Sequence, residues 1–403
     1  MKLSDVLQTV PASPIGAIFN RAAALRAAGA DLIDLSLGEP DFDTPDHIRA
    51  AGIAAINAGQ TRYTAADGAL ALKEAVVRKF ARDNGLQFAP SQIVIASGAK
   101  PLIAAAMQAI LNPGDQVILL TPVWTSHVGM VQVCDAQPVF VPTDSTNGWR
   151  LDAAAVESAI TPATRLLLLC SPGNPSGAVL SLAELTALAN VLRRHPQVCI
   201  ISDDLYEHVV FAPARFATLA QVASDLSDRI LTVNGLSKAY AMTGWRIGYA
   251  GGPDWWTLGL RVLFSQTNGG PCSISQAAGI AALDGPQDFM ADWLATYRRR
   301  RDRAVAALSN VPGLSVSPPE GAFFLYLGCG DLIGRRWTDG RHITSSTDLA
   351  EVLLEAGVVT VPGAAFYHDP CLRLSIATSD AALKVGIARI VTVCTTLMER
   401  EQA

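Results

Sequence analysis

The chain has 403 residues, half of them apolar and 17% charged, with a formal net charge of -5 at pH 7. That length exceeds one ordinary compact core and predicts a large domain with a smaller one. The acidic balance, with no basic run longer than the four arginines at 298–301, excludes a chain built to neutralise nucleic-acid backbones.

Other classes fall away as quickly. Apolar stretches such as 102–111 are far shorter than the roughly 18 to 20 residues of a membrane span. Asp5 and Gln8 interrupt the opening segment where a secretory leader would need a continuous apolar run. Seven dispersed cysteines without a CxxC pair read as buried reduced thiols in a cytoplasmic protein. The histidines form no pair with metal-ligand spacing, so no metal is expected. The four arginines sit in a helical stretch and read as a solvated face.

In chain order, short β-branched runs alternate from about Ile93 with longer Ala/Leu-rich stretches of helical period. Residues 93–96 read as a strand, 101–111 as a helix, 112–115 as a turn and 116–120 as the next strand. Further strands are expected at 138–141, 165–170, 198–202 and 230–233. These runs are apolar at successive positions, so both faces of their sheet are covered. That is an α/β fold with a mostly parallel sheet flanked by helices. Beyond Asp288 the pattern changes to a charged helix (293–309), strands at 321–326 and 358–362, and a last helix from Ala381. The expected division is an N-terminal segment (1–45) joining a small α+β domain (289–403), with a large cofactor-binding domain (46–288) between.

Ligands of such sheets gather outside the carboxyl ends of the strands. The residues there are Gly98, Ala99 and Lys100, Trp124, the turn 171–177 with Asn174, the pair Asp203 and Asp204 with Tyr206 behind them, and Asn234-Gly-Leu-Ser237-Lys238. Pyridoxal phosphate needs an amine to form a Schiff base, an acid against its ring nitrogen, donors to its phenolate oxygen, a flat face to stack on and a phosphate cradle. Each need has a match. Residues 98–100, between strand and helix, offer backbone N–H groups and a helix dipole to a phosphate. Simpler readings stand beside these: either Asp203 or Asp204 suits a helix N-cap, an Asn-Pro turn accounts for Asn174, and a Trp near a strand end is as often core.

The stretch Gly235-Leu-Ser-Lys238-Ala-Tyr-Ala-Met-Thr-Gly-Trp-Arg246-Ile-Gly248 resembles the pyridoxal-lysine signature of class I and II aminotransferases, in their aspartate-aminotransferase-like branch. Leu35-Ser-Leu-Gly38-Glu-Pro-Asp-Phe-Asp-Thr-Pro45, Ser171-Pro-Gly-Asn174-Pro-Ser-Gly177, Asp203-x-x-Tyr206 and Cys371-Leu-Arg373-Leu-Ser-Ile-Ala377 are further matches, all in the family's order. The resemblance implies the pyridoxal-phosphate fold type I with a seven-stranded sheet. It implies that Lys238 carries the cofactor as a Schiff base, that Asp203 pairs with the ring nitrogen, and that Tyr206 and Asn174 bond the phenolate oxygen. Gly98, Ala99, Lys100, Ser237 and Arg246 would hold the phosphate, and Trp124 would stack on the ring. Arg373, Asn174 and Gly38 would receive the substrate α-carboxylate, with glycine required because a side chain would collide. Tyr63 would reach across to the phosphate of a neighbouring subunit, which makes the protein a homodimer with its active sites at the interface.

What the resemblance implies chemically is amino transfer in two half-reactions, with the freed Lys238 amine as general base. Lys100 is either a solvated helix-start lysine or, as in one bacterial branch, the partner of an acidic substrate's distal carboxylate; the second reading points to aspartate or glutamate, and to prephenate as a further substrate. The segments 101–104, 366–370 and 11–14 depart from the family pattern, partly where side-chain selectivity is set. A lyase or decarboxylase on the same fold and a regulatory module are the alternatives, the latter disfavoured because the short segment before Leu35 lacks basic character.

Overall fold

The structure, a computed structural model, describes residues 2–11 and 14–400. Met1, Ala12, Ser13 and 401–403 lie outside it, and with them the middle of the departure at 11–14 and the last residues of the expected small domain. Its strands are β1 (Ile33–Asp34), β2 (Ile93–Ala96), β3 (Gln116–Thr121), β4 (Gln137–Pro142), β5 (Thr164–Cys170), β6 (Cys199–Asp203), β7 (Ile230–Gly235), β8 (Gly248–Gly251), β9 (Ser315–Val316), β10 (Phe324–Gly328), β11 (Val358–Val359), β12 (Val361–Pro362) and β13 (Cys371–Ser375).

Seven of them form one sheet in the order β2-β8-β7-β6-β5-β3-β4. The six strands expected from apolar runs are mutually parallel, and β8 alone lies antiparallel, between β2 and β7. β2, β6 and β7 are buried at every position. Apolar clusters fill the space on both faces, around Leu102, Val117 and Leu231 in one and around Leu188, Leu192 and Ile200 in another. Covering both faces of a parallel sheet is what makes its strands continuously apolar.

β8 reads Gly-Tyr-Ala-Gly and lacks the β-branched run that marked its neighbours. Its first residue explains the glycine: a Cβ on Gly248 would stand 2.3 Å from the Ala99 backbone nitrogen and 2.4 Å from the Gly98 carbonyl carbon. The start of the helix Ala99–Gln108 therefore packs directly on β8. That helix begins two residues earlier than expected, after Gly98 at φ 106°.

A second unit is built on the antiparallel sheet β12-β13-β10-β9, with β1 pairing in parallel with β11 beside it. The strand expected over 358–362 is thus two, because β11 pairs with the N-terminal segment and β12 with β13. Three helices, Phe289–Leu308, Ser346–Glu355 and Asp380–Glu399, close over this core. Three expectations need correction here. The arginines at 298–301 are not all solvated: Arg300 is buried on the helix face it shares with Tyr297, Ala304 and Leu308, and pairs with Asp41 and Asp380 at 2.8 Å each. The helix Asp380–Glu399 is also long and apolar enough, by length and composition, to cross a membrane. It buries Leu383, Ile387, Ile390, Cys394 and Leu397, a 3.6-residue stripe directed into the core. The cysteines are all free, but only Cys199, Cys329, Cys371 and Cys394 are buried; Cys134 and Cys170 are half-buried and Cys272 is exposed.

Gly248→Ala should lower the thermal midpoint, by about 2 kcal/mol or more in stability, because backbone rather than a movable side chain occupies the Cβ position. Gly244→Ala, which meets nothing within 4 Å, is the control. Equal midpoints would refute the packing argument.

Candidate active site

The carboxyl ends of the parallel strands open onto a cleft of about 640 Å³, a size that suits a cofactor with a small substrate. Gly38, Ala99, Lys100, Trp124, Asn174, Asp203, Tyr206, Ser237, Lys238, Arg246 and Arg373 all line it. Eleven of the thirteen residues expected at the site therefore meet there. Gly98 is adjacent, with Arg246 Nη2 2.3 Å from where its Cβ would be. Tyr63 is the one that does not join them: it is 97% exposed and outside the cleft of its own chain.

Lys238 follows β7 with its side chain in the cleft, where the amine donates to the Gly38 carbonyl at 2.5 Å. Burial lowers its pKa from 10.5 to about 8, against the opposing pull of Glu39. A lysine so placed is available as a neutral amine near physiological pH.

Of the two neighbouring acids, the geometry selects Asp203. It ends β6 and lines the cleft, and His127 Nε2 stands 3.2 Å from its Oδ2. Asp204 does not line the cleft; Ser202 donates to it at 2.7 Å, and burial pushes its carboxyl up to about 7. Tyr206 packs edge-on against Phe323 and Phe324, and burial raises its phenol well above its ordinary value, so it acts as a donor at neutral pH.

Arg373, on β13, is the most unusual group. It is buried, stacked 4.4 Å over the Phe324 ring, and donates to Asn174 Oδ1 at 3.0 Å and to the Ser36 carbonyl at 2.6 Å. Among the described residues no carboxylate pairs with it, and its Nε has no partner. Burial drives its pKa down to about 10. A buried guanidinium without a counter-ion is strained electrostatically unless a ligand supplies the charge.

A second place suited to an anion lies at 98–100. Gly98 adopts a φ of 106°, the helix starts at the next residue, and the exposed Arg246 lies against the glycine, donating to the Thr243 carbonyl at 2.9 Å. A Cβ would fill that cradle. These features fit a phosphate. Lys100 stands 5.2 Å over the half-buried Trp124 ring, and burial followed by the nearby Arg246 charge lowers its pKa. A Cβ on Gly38 would meet Phe324 at 3.7 Å, an ordinary contact, so packing within the described residues does not by itself demand glycine there.

Sequence reasoning missed several members. His127 is fully buried, edge-on to Trp124 at 5.1 Å; its position one helical turn after Trp124 was the available signal. Ile15 and Phe19, from the helix Pro14–Ala27, and Ile103 form an apolar wall.

The comparisons agree with this geometry. Residues 30–390 match the model of the family "Aminotransferase class I and II". The chain is 48% identical over 389 residues to an aspartate aminotransferase of Rhizobium meliloti strain 1021, covering 96% of this chain and 95% of that one. It is 47% identical to an aspartate/prephenate aminotransferase of Cereibacter sphaeroides, covering 97% and 98%. Among solved structures, an aspartate aminotransferase from Rhizobium meliloti superposes with a TM-score of 0.95 at 47% identity, over 98% of this chain and 100% of the other. The aspartate aminotransferase from Thermus thermophilus with maleate superposes with a TM-score of 0.91 at 37% identity, again over 98% and 100%. With the α/β fold, the lysine-bearing cleft and these relatives in agreement, the chain belongs to the class I and II aminotransferases and is a pyridoxal-phosphate-dependent enzyme.

Proposed function

We propose that this aminotransferase exchanges an amino group between L-aspartate or L-glutamate and 2-oxo acids. The observation that carries the reading is Arg373, a buried guanidinium that pairs with no carboxylate among the described residues, in one cleft with the Lys100 ammonium. Arg246 and the backbone N–H groups of residues 98–100 suit the cofactor phosphate, which leaves the side chains of Arg373 and Lys100 as two cations for two substrate carboxylates. The names of the relatives support this, as does the dicarboxylate maleate bound to the Thermus enzyme. The apolar wall of Ile15, Phe19 and Ile103 beside Trp124 favours acceptance of a larger ring-bearing acid such as prephenate as well.

Each residue then has a task. Lys238 would hold the cofactor and, with its amine free, would serve as the base that takes the proton from the substrate Cα. The bound pyridoxal phosphate supplies an electron sink for the charge left at Cα. Asp203, with His127 Nε2 3.2 Å away, would keep the ring nitrogen protonated, and Tyr206 and Asn174 would donate to O3′. Trp124 would cover one ring face, and the backbone of Gly98, Ala99 and Lys100 with Ser237 and Arg246 would take the phosphate, which leaves the Lys100 side chain free for substrate. Arg373 with Asn174 receives the α-carboxylate beside Gly38, which stays bare to let it approach. Lys100 meets the distal carboxylate.

We further infer a homodimer in the cytoplasm. Tyr63, nearly fully exposed and away from its own cleft, suits delivery to the phosphate of a partner's site, and seven unpaired cysteines suit a reducing compartment. The large domain is taken as 46–288, with 1–45 joining 289–403.

Three outcomes test the reading. Lys238→Ala should abolish both the bound-cofactor absorbance and transamination. Capture of pyridoxal phosphate by the stripped protein requires the neutral amine; with Lys238 lowered to about 8, the rate should rise with pH and level off above about 8 rather than near 10.5. Lys100→Ala should lower kcat/KM for aspartate roughly 10- to 100-fold, the loss of one charge-assisted contact, with alanine within about threefold. An equal loss for both donors would remove Lys100 from side-chain recognition.

A further inference from the structure

Behind the cleft, and not lining it, lies a second buried charge. Glu207 has a side chain 3% exposed and Lys79 one that is fully buried, and the two form an ion pair. Asn84 Nδ2 and Asn234 Nδ2 each donate to the Glu207 carboxylate at 2.7 Å, one to each oxygen. Lys79 also donates to Asn84 Oδ1 at 2.7 Å, which closes the network. His208 Nε2 stands 3.2 Å from the same carboxylate and 3.6 Å from Asp83, with Tyr240 and Tyr249 nearby. Asp83, Glu207 and His208 lie close enough together to suggest a metal site, but the Lys79 ammonium already occupies the carboxylate and opposes a cation there.

A buried ion pair is weak as a source of stability, because desolvation offsets most of its attraction, and apolar replacements are often as stable. Its strength lies in fixing geometry. Here one carboxylate joins three separate pieces of chain: the helical region of Lys79 and Asn84, the turn carrying Tyr206, and the end of β7 leading to Lys238. Glu207 is the residue after Tyr206. Asn234 is four before Lys238, and its Oδ1 accepts from the Gly235 N–H at 2.7 Å.

We infer that Glu207 is a positioning residue for amino transfer: through Asn234 and the chain link to Tyr206 it sets the placement of the Tyr206 phenol relative to the Lys238 amine. The role rests on the assignment of Tyr206 and Lys238 to the cofactor. Lys79 supplies the counter-charge that keeps the carboxylate ionised and able to accept from both asparagines.

The test compares the wild-type full chain with Glu207→Gln and with the double variant Lys79→Met, Glu207→Gln, which leaves no uncompensated buried charge. Amide hydrogen exchange is followed with the cofactor bound and after its removal. Both variants should exchange about tenfold faster at 204–208 and 234–238, with the helix Asp380–Glu399 unchanged. The holoenzymes should hold pyridoxal phosphate about tenfold more weakly, and the pH midpoint of the bound-cofactor absorbance should rise, since a displaced Tyr206 no longer stabilises the O3′ anion. Exchange that matches wild type at both segments, or that rises equally across the chain, overturns the inference. So does a double variant that fails to fold, which would make the network a folding element. Failure of the wild-type chain to bind pyridoxal phosphate would sink the cofactor assignment instead, while the exchange at the two segments still decides whether Glu207 joins them.

Discussion

A positive charge that the fold buries without neutralising governs this molecule's cleft. Arg373 gives up hydration to sit over Phe324, and among the described residues its hydrogen-bond acceptors are an amide oxygen and a carbonyl. Neutral acceptors orient a guanidinium without cancelling it, so its charge stays desolvated and directed into the cleft. The other polar groups make sense around that charge. Asn174 links it to the turn after β5, Ser36 links it to the N-terminal segment, and Lys238 bonds the carbonyl of Gly38 on that same segment.

The acid side of the site shows the complementary device. Two adjacent aspartates leave β6, and their surroundings separate them: Asp203 meets His127 in the cleft, whereas Asp204 lies deeper, among Ser202 and the strand ends, where burial favours the neutral form. Neighbouring residues on a strand point to opposite faces, so one of any such pair must be turned away from the cleft.

This contrast marks how far the sequence could be read. Strands β2 to β7 were legible because a sheet covered on both faces demands continuous apolar runs, and the site was legible because ligands collect at the ends of such strands. β8 was hidden, since its glycines answer to the approach of the helix at Ala99 and carry no strand propensity. The split of 358–362 was hidden too, because pairing with β1, more than 300 residues earlier, leaves no local trace. His127 and Glu207 act through partners distant in sequence, Glu207 with Lys79, Asn84 and Asn234, and spacing alone says nothing of them. Arg300 was misread from its charged neighbours, although its helical phase with Tyr297 and Ala304 placed it inside.

The pairing of β1 with β11 also bears on the order in which the protein can be made. Ile33 and Asp34 have no strand partner until Val358 and Val359 emerge, and the Arg389 guanidinium that bonds the carbonyls of both Asp31 and Gly357 comes later still. The seven-stranded sheet, by contrast, is complete at Gly251. Synthesis from the N-terminus therefore lets the sheet bury its faces while the first 35 or so residues wait, and their docking becomes a late, long-range closure of the kind that slows folding. Arg373 on β13 is assembled in that last step, so a nascent chain completes the strand ends that carry Asp203 and Lys238 before the buried guanidinium reaches them.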